Sequence, residues 1–125
     1  MKLNIEENTT SYQIQRIDAD SVTVNNKTYS QSIIIMPNQV ITWEVTTFDE
    51  LQVKHFQYLC DLQPELVLLG TGNVSRFPTP DLLSPLMDAK IGLEVMNNTA
   101  ACHTYTLLTI EGRKVAAALM FGVNR

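Results

Sequence analysis

Through the first third of the chain, apolar and polar residues alternate with a period of two. Tyr12 to Ile17 alternates, and Val22-Thr-Val24 and Lys27-Thr-Tyr29 flank Asn25-Asn26. Successive strand side chains point to opposite faces, so this pattern predicts half-buried strands. Asparagine tolerates the positive φ that a two-residue hairpin turn demands. Ile33-Ile-Ile-Met36 is a continuous apolar run suited to a fully buried strand, and Pro37-Asn38 breaks it. From Val40 to Val45, residues Val40, Thr42 and Glu44 fall on one side and Ile41, Trp43 and Val45 on the other. Residues 1–45 are therefore expected to be mainly β.

Beyond residue 45 the period lengthens and helix alternates with strand. Asp49 is the expected cap of a helix running to about Leu62, with Lys54, Gln57 and Asp61 on its polar strip and Leu51, Tyr58, Leu59 and Leu62 opposite. Pro64 stops it, and Glu65-Leu-Val-Leu-Leu69 is a short buried strand ending in Gly70-Thr71-Gly72. A loop from Asn73 to Pro78 leads to a helix from Pro80 to Ala89, its apolar face Leu82, Leu83, Leu86 and Met87. Pro85 should kink that helix or mark a second start at Ser84. Ile91 to Met96 reads as a strand. Asn98 or Thr99 is the expected cap of a third helix ending at Gly112, and Lys114 to Phe121 closes as an alanine-rich strand.

This order predicts an α/β fold: a single three-layer domain over residues 1–125. Its mixed sheet has a βαβαβαβ part over residues 46–125, and an N-terminal antiparallel β-hairpin layer over residues 1–45. In such sheets ligands bind where the carboxyl ends of strands and the following loops converge. That edge collects Thr46, Thr47 and Asp49 after one strand. It collects Gly70, Thr71, Gly72, Asn73 and Arg76 after the next, and Asn97, Asn98 and Thr99 after the third. Thr71, Gly72, Asn73, Arg76, Asn97, Asn98 and Thr99 are the candidate anion- or ligand-binding residues, since an arginine, hydroxyls, amides and free helix N–H groups suit a carboxylate or phosphate.

Composition narrows the class. The chain has 125 residues, 45% of them hydrophobic, enough for one core burying roughly two-thirds of the unfolded surface. The charged fraction of 18% and mean hydropathy of −0.01 argue against disorder. Nine basic against thirteen acidic residues give a net charge of −4, a field that repels nucleic acid and anionic membrane. No apolar stretch approaches the ~18 residues of a spanning helix, and the opening MKLNIEENTTSYQ has no apolar signal core. No direct membrane insertion is expected, and the cytoplasm is the expected compartment.

Candidate chemistry is sparse. Cys60 and Cys102 are the only cysteines, and with His55 and His103 they show neither CxxC nor HxxxH spacing, so no metal site and no cofactor is expected. Cys102 and His103 are adjacent on a helix and point about 100° apart, which prevents a thiolate–imidazole dyad. Gly70-x-Gly72 opens like a dinucleotide fingerprint, but Ser75 holds the third glycine position; the glycines read as a chain turn. His55, between Leu51 and Leu59, reads as a hydrogen-bonded histidine on an apolar face. Glu94 interrupts an apolar strand and either faces water or pairs with Arg113 or Lys114. No catalytic residue is assigned.

The stretch Ile91-Gly-Leu-Glu-Val-Met-Asn-Asn-Thr-Ala-Ala-Cys-His-Thr-Tyr-Thr-Leu-Leu108, then Glu111-Gly-Arg-Lys-Val-Ala-Ala-Ala-Leu119, resembles a small α/β domain family of unknown function. Pro64-Glu-Leu-Val-Leu-Leu-Gly-Thr-Gly72 and Phe77-Pro78 match it too. That family includes NADH:ubiquinone oxidoreductase complex assembly factor 3 and an adipogenesis-associated domain protein. The resemblance covers nearly the whole chain and implies a single mixed α/β domain that works by binding a partner, here as a bacterial member. Bacterial relatives often carry Cys-Arg-Thr-Tyr-Asn where this chain has Cys102-His103-Thr104-Tyr105-Thr106, so His103 and Thr106 replace an arginine and an asparagine. The expected function is a non-enzymatic interaction domain assisting assembly or maturation of a larger respiratory or membrane-associated complex. Its expected partner is an unidentified protein. Homodimerisation through an edge strand or the Met/Phe-bearing C-terminus is compatible. The alternative is an anion or small-molecule site, enzymatic or not, at the strand ends.

Overall fold

A computed structural model of the chain describes residues 11–122; the reading of the opening segment falls, over residues 1–10, outside the described residues. Strands β1 (Ile14–Ile17), β2 (Val22–Val24) and β3 (Lys27–Tyr29) form an antiparallel sheet in that order. Asn25 and Asn26 turn the β2–β3 hairpin with φ of 49° and 70°, the double left-handed conformation expected of the pair.

A second, five-stranded sheet contains β4 (Ile33–Met36), β5 (Gln39–Thr42), β6 (Leu66–Gly70), β7 (Gly92–Met96) and β8 (Val115–Leu119) in the order β5-β4-β8-β6-β7. β6 runs parallel to β7 and β8, whereas β4 is antiparallel to β5 and β8. The sheet is mixed, as the succession of elements predicts.

Strand alternation sorts the core into two layers. Ile34, Met36, Val67, Leu69, Ala116 and Ala118 face one side, where Phe56 and Leu59 of helix α1 (Val53–Asp61) and Leu86 of helix α2 (Ser84–Asp88) cover them. Ile33, Ile35, Leu66, Leu68, Val115, Ala117 and Leu119 face the other, under Ala101, Cys102 and Tyr105 of helix α3 (Asn98–Ile110) and Val22 and Val24 of the small sheet. The three-layer mixed α/β architecture stands. No helix among the described residues is long and apolar enough to cross a membrane.

Several local expectations are corrected. β5 stops at Thr42, although alternation persists beyond it: Trp43 and Val45 are buried and Glu44 is exposed. Asp49 does not cap α1. Phe48–Glu50 forms a single 3-10 turn, Leu51 is extended, and Gln52 caps the helix, its N–H donating to Nδ1 of His55 at 2.9 Å. That later start rotates the apolar face, burying His55 and Phe56 and leaving Tyr58 outside. Pro85 behaves as expected: a 3-10 turn over Pro80–Leu83 gives way to a new helix at Ser84. Met87, counted on the apolar face, is 66% exposed. Glu94 faces water, and Arg113 pairs with Glu65 instead, at 3.5 Å. Met120 and Phe121 are buried within the chain.

The alanines of β8 are what the central position requires. Ala117 lies between Ile35 and Leu68 with no exposed surface. Overpacking a filled core costs about 1–3 kcal/mol. Ala117→Leu is therefore expected to lower stability by about that amount, measured by urea denaturation, and an unchanged midpoint would contradict this packing.

Candidate functional site

β6, β7 and β8 end at the same edge, with Gly70 paired to Met96 on one side and Leu119 on the other. What ties these ends is Asn98, in the first turn of α3. Its Oδ1 accepts from the Gly72 N–H at 3.1 Å, its Nδ2 donates to the Met120 carbonyl at 2.9 Å, and its own N–H donates to the Gly72 carbonyl at 2.8 Å. A side chain at Gly70 would fall onto Asn98 Oδ1 and come within 2.9 Å of Leu119 Cδ2, so the strand needs glycine there. The helix cap is Asn97, neither Asn98 nor Thr99: its Oδ1 accepts from the Ala100 N–H at 2.8 Å.

The loop after β6 is stapled through Thr71. Its buried hydroxyl donates to the Val74 carbonyl at 2.6 Å and accepts from the Arg76 N–H at 3.0 Å. Arg76 then reaches back across the edge, with Nη2 at 3.3 Å from Asp49 Oδ1 and its guanidinium carbon 4.3 Å from the centre of the Phe48 ring. Phe48 and Asp49 belong to the 3-10 turn that precedes α1. The early end of the expected strand therefore builds this contact.

These elements enclose a crevice of about 480 Å³. Thr71, Gly72, Asn73 and Arg76 line it, as do Thr46, Thr47 and Asp49. Asn97, Asn98 and Thr99 do not: the first two are engaged as described, and Thr99 is exposed on α3. Phe48, Val74, Met120 and Gly122 complete the lining and escaped the sequence reading. One signal was available, since Val74 and Phe77 are apolar residues inside an otherwise polar loop. Both are largely exposed, at 66% and 67%.

The crevice's chemistry is mostly turned inward. Arg76 is neutralised by Asp49. Glu50 binds back onto Thr46, accepting from its N–H at 2.9 Å and its hydroxyl at 3.0 Å. The backbone bond first, then the hydroxyl, hold the Glu50 carboxyl below its ordinary pKa. Elsewhere, burial pushes the Cys102 thiol up to about 12, while His103 is exposed, so the adjacent pair forms no nucleophilic dyad. Among the described residues, no three His, Cys, Asp or Glu converge as a metal site.

Fold and crevice together define a small mixed α/β domain whose strand ends are clasped by a buried amide. The chain belongs to the family described as protein of unknown function (DUF498/DUF598), which matches residues 14–120. It is 32% identical over 89 residues to the mouse protein named NADH dehydrogenase [ubiquinone] 1 alpha subcomplex assembly factor 3, covering 70% of this chain and 48% of that protein. The chain thus spans about half the length of this relative. It is 24% identical over 94 residues to a Francisella tularensis protein named 13 kDa major membrane protein, covering 74% of this chain and 76% of the other. Among solved structures, a Xanthomonas campestris protein determined by NMR superposes with a TM-score of 0.85 at 37% identity, covering 100% of this chain and 96% of that one. The family resemblance carried by the sequence blocks is borne out.

Two outcomes follow from this geometry. Asn98→Ala leaves the Gly72 N–H and Met120 carbonyl without their amide partner and should cost about 2–3 kcal/mol in thermal or urea unfolding; a neutral effect would show the clasp to be dispensable. Glu50 titrates lower in the folded than in the unfolded state. Its stabilising effect is therefore full above the ordinary glutamate range and is lost as pH falls through the folded value. A Glu50→Gln variant should show a shallower acid limb in melting temperature against pH, and parallel curves would count against this assignment.

Proposed function

We propose that this chain is a non-enzymatic protein-interaction domain that assists assembly or maturation of a larger respiratory or membrane-associated complex. Docking takes place through the rim of the strand-end crevice. The observation that carries this reading is a pair of exposed apolar side chains, Val74 in the crevice lining and Phe77 three residues on, beside Thr71 and Arg76 side chains already engaged within the chain. Two large exposed apolar residues on one short loop gain free energy when a partner covers them. Arg76, with its charge met by Asp49 and its plane on Phe48, offers an incoming anion little. The relatives named as assembly factors support the same reading.

Tagged protein incubated with native lysate should retain a stable partner, identified by mass spectrometry. The Val74→Ser/Phe77→Ser double variant, folded to the same melting temperature, should release it. Retention of nothing beyond the chain itself, or equal retention by the double variant, would sink the proposal. Thermal-shift screening with phosphates, carboxylates and nucleotides separates the anion-binding alternative. A ligand at 100 Kd would raise stability by about 2.7 kcal/mol, and no such shift is expected.

A further inference from the structure

A second cavity, of about 310 Å³, lies between the segment following β5 and the first turns of α1, and shares no lining residue with the strand-end crevice. At its centre His55 and Glu44 form a pair that resembles a catalytic dyad and cannot act as one. His55 Nδ1 accepts from the Gln52 N–H, so the neutral ring carries its proton on Nε2, which donates to Glu44 Oε2 at 3.1 Å. Both ring nitrogens are thereby engaged, and no lone pair remains to take a proton from a substrate. What the arrangement does achieve is to hold a carboxylate in place. The His55 side chain is buried, and Glu44, anchored to it, keeps 67% of its own side chain exposed.

The surroundings of that carboxylate are aromatic. Trp43 and His55 meet edge to face, with centroids 6.3 Å apart and planes at 83°, and the half-exposed Tyr58 also lines the cavity. The Trp43 indole N–H is buried without an acceptor. A fixed carboxylate beside the half-exposed Tyr58 ring attracts a cation, and a planar guanidinium most of all, since it can pair with an oxygen and lie on that ring at once. The chain already brings one cation to the site: Lys54 Nζ stands 3.8 Å from Glu44 Oε2, beyond hydrogen-bond length. Among the described residues, both contacts of Glu44 fall on Oε2.

We propose that the Trp43–Glu44–His55–Tyr58 cavity binds an arginine side chain presented by a partner polypeptide, with Glu44 as its counter-ion and Lys54 as an internal competitor. This rests on the protein-interaction reading and adds a second, charge-selective contact to it. Trp43 is the only tryptophan in the chain, so its emission reports directly on occupancy.

The test is a fluorescence titration of the full chain with Nα-acetyl-arginine methylamide, using the neutral citrulline analogue as control. A saturable change is expected with the arginine probe alone. Binding should weaken at least tenfold in Glu44→Gln, which keeps an oxygen for His55, and tighten about threefold in Lys54→Gln, the size of an exposed ion-pair effect. No response, equal response to citrulline, or binding unchanged in Glu44→Gln overturns the proposal. Partner capture that survives Glu44→Gln but fails in Val74→Ser/Phe77→Ser removes this site and leaves the assembly reading intact.

Discussion

A single buried amide governs how the functional edge of this domain is built. Asn98 bonds at once to the loop after β6 and to the carbonyl that follows β8, from the first turn of α3. Such a bond is strong inside a protein because water does not compete for it, and costly to leave half made for the same reason. It also constrains its neighbours, since Gly70 can carry no side chain while Asn98 occupies that space. The same edge therefore looks like an anion site in sequence and behaves differently in three dimensions. The Asn97 and Asn98 amides and the Thr46 and Thr71 hydroxyls are engaged in holding the chain, and the exposed groups include Val74, Phe77 and an arginine already paired.

What the sequence disclosed was set by range of interaction. The Asn25-Asn26 turn and the restart at Ser84 depend on backbone preferences of the residues themselves, and both were legible. The continuous apolar run Ile33–Met36 and the alanine-rich Val115–Leu119 correctly marked strands buried on both faces. The start of α1 was not legible, because Asp49 is a good capping residue and nothing local says that Leu51 will extend into the core. The cap actually used, Gln52 with His55, is uncommon at those positions. A cap shifted by three residues changes which side chains face inward, and so Tyr58 was misplaced. Asn97 and Asn98 are chemically identical neighbours; only Gly70 and Met120, distant in sequence, decide which one caps and which one clasps.

The candidate site shows the same division. Thr71, Gly72, Asn73 and Arg76 follow one strand and were grouped correctly by topology. Phe48 and Met120 join them through contacts that no local pattern encodes. The Glu44–His55 pair is a further example: hydrogen bonding by His55 was foreseen from its position on an apolar face, whereas its acceptor comes from the segment after β5. The strand-end crevice and the Glu44–His55 cavity thus both lie where a strand-to-helix connection departs from its expected geometry. The family shares the scaffold, and the mouse assembly factor extends well beyond it, since this chain covers 48% of its length.

The placement of β8 has a consequence for the order in which the molecule can be made. It is the last of the described strands to leave the ribosome, yet it sits in the middle of the five-stranded sheet, between β4 and β6. Until it arrives, β5–β4 and β6–β7 are two separate ribbons, and the inner edges of β4 and β6 lack the partner that β8 supplies. Isolated two-stranded ribbons are marginal in water, and exposed edges invite pairing with other chains. The five-stranded sheet can therefore be completed only after Leu119 has been made, because an alanine-rich strand joins its two pairs.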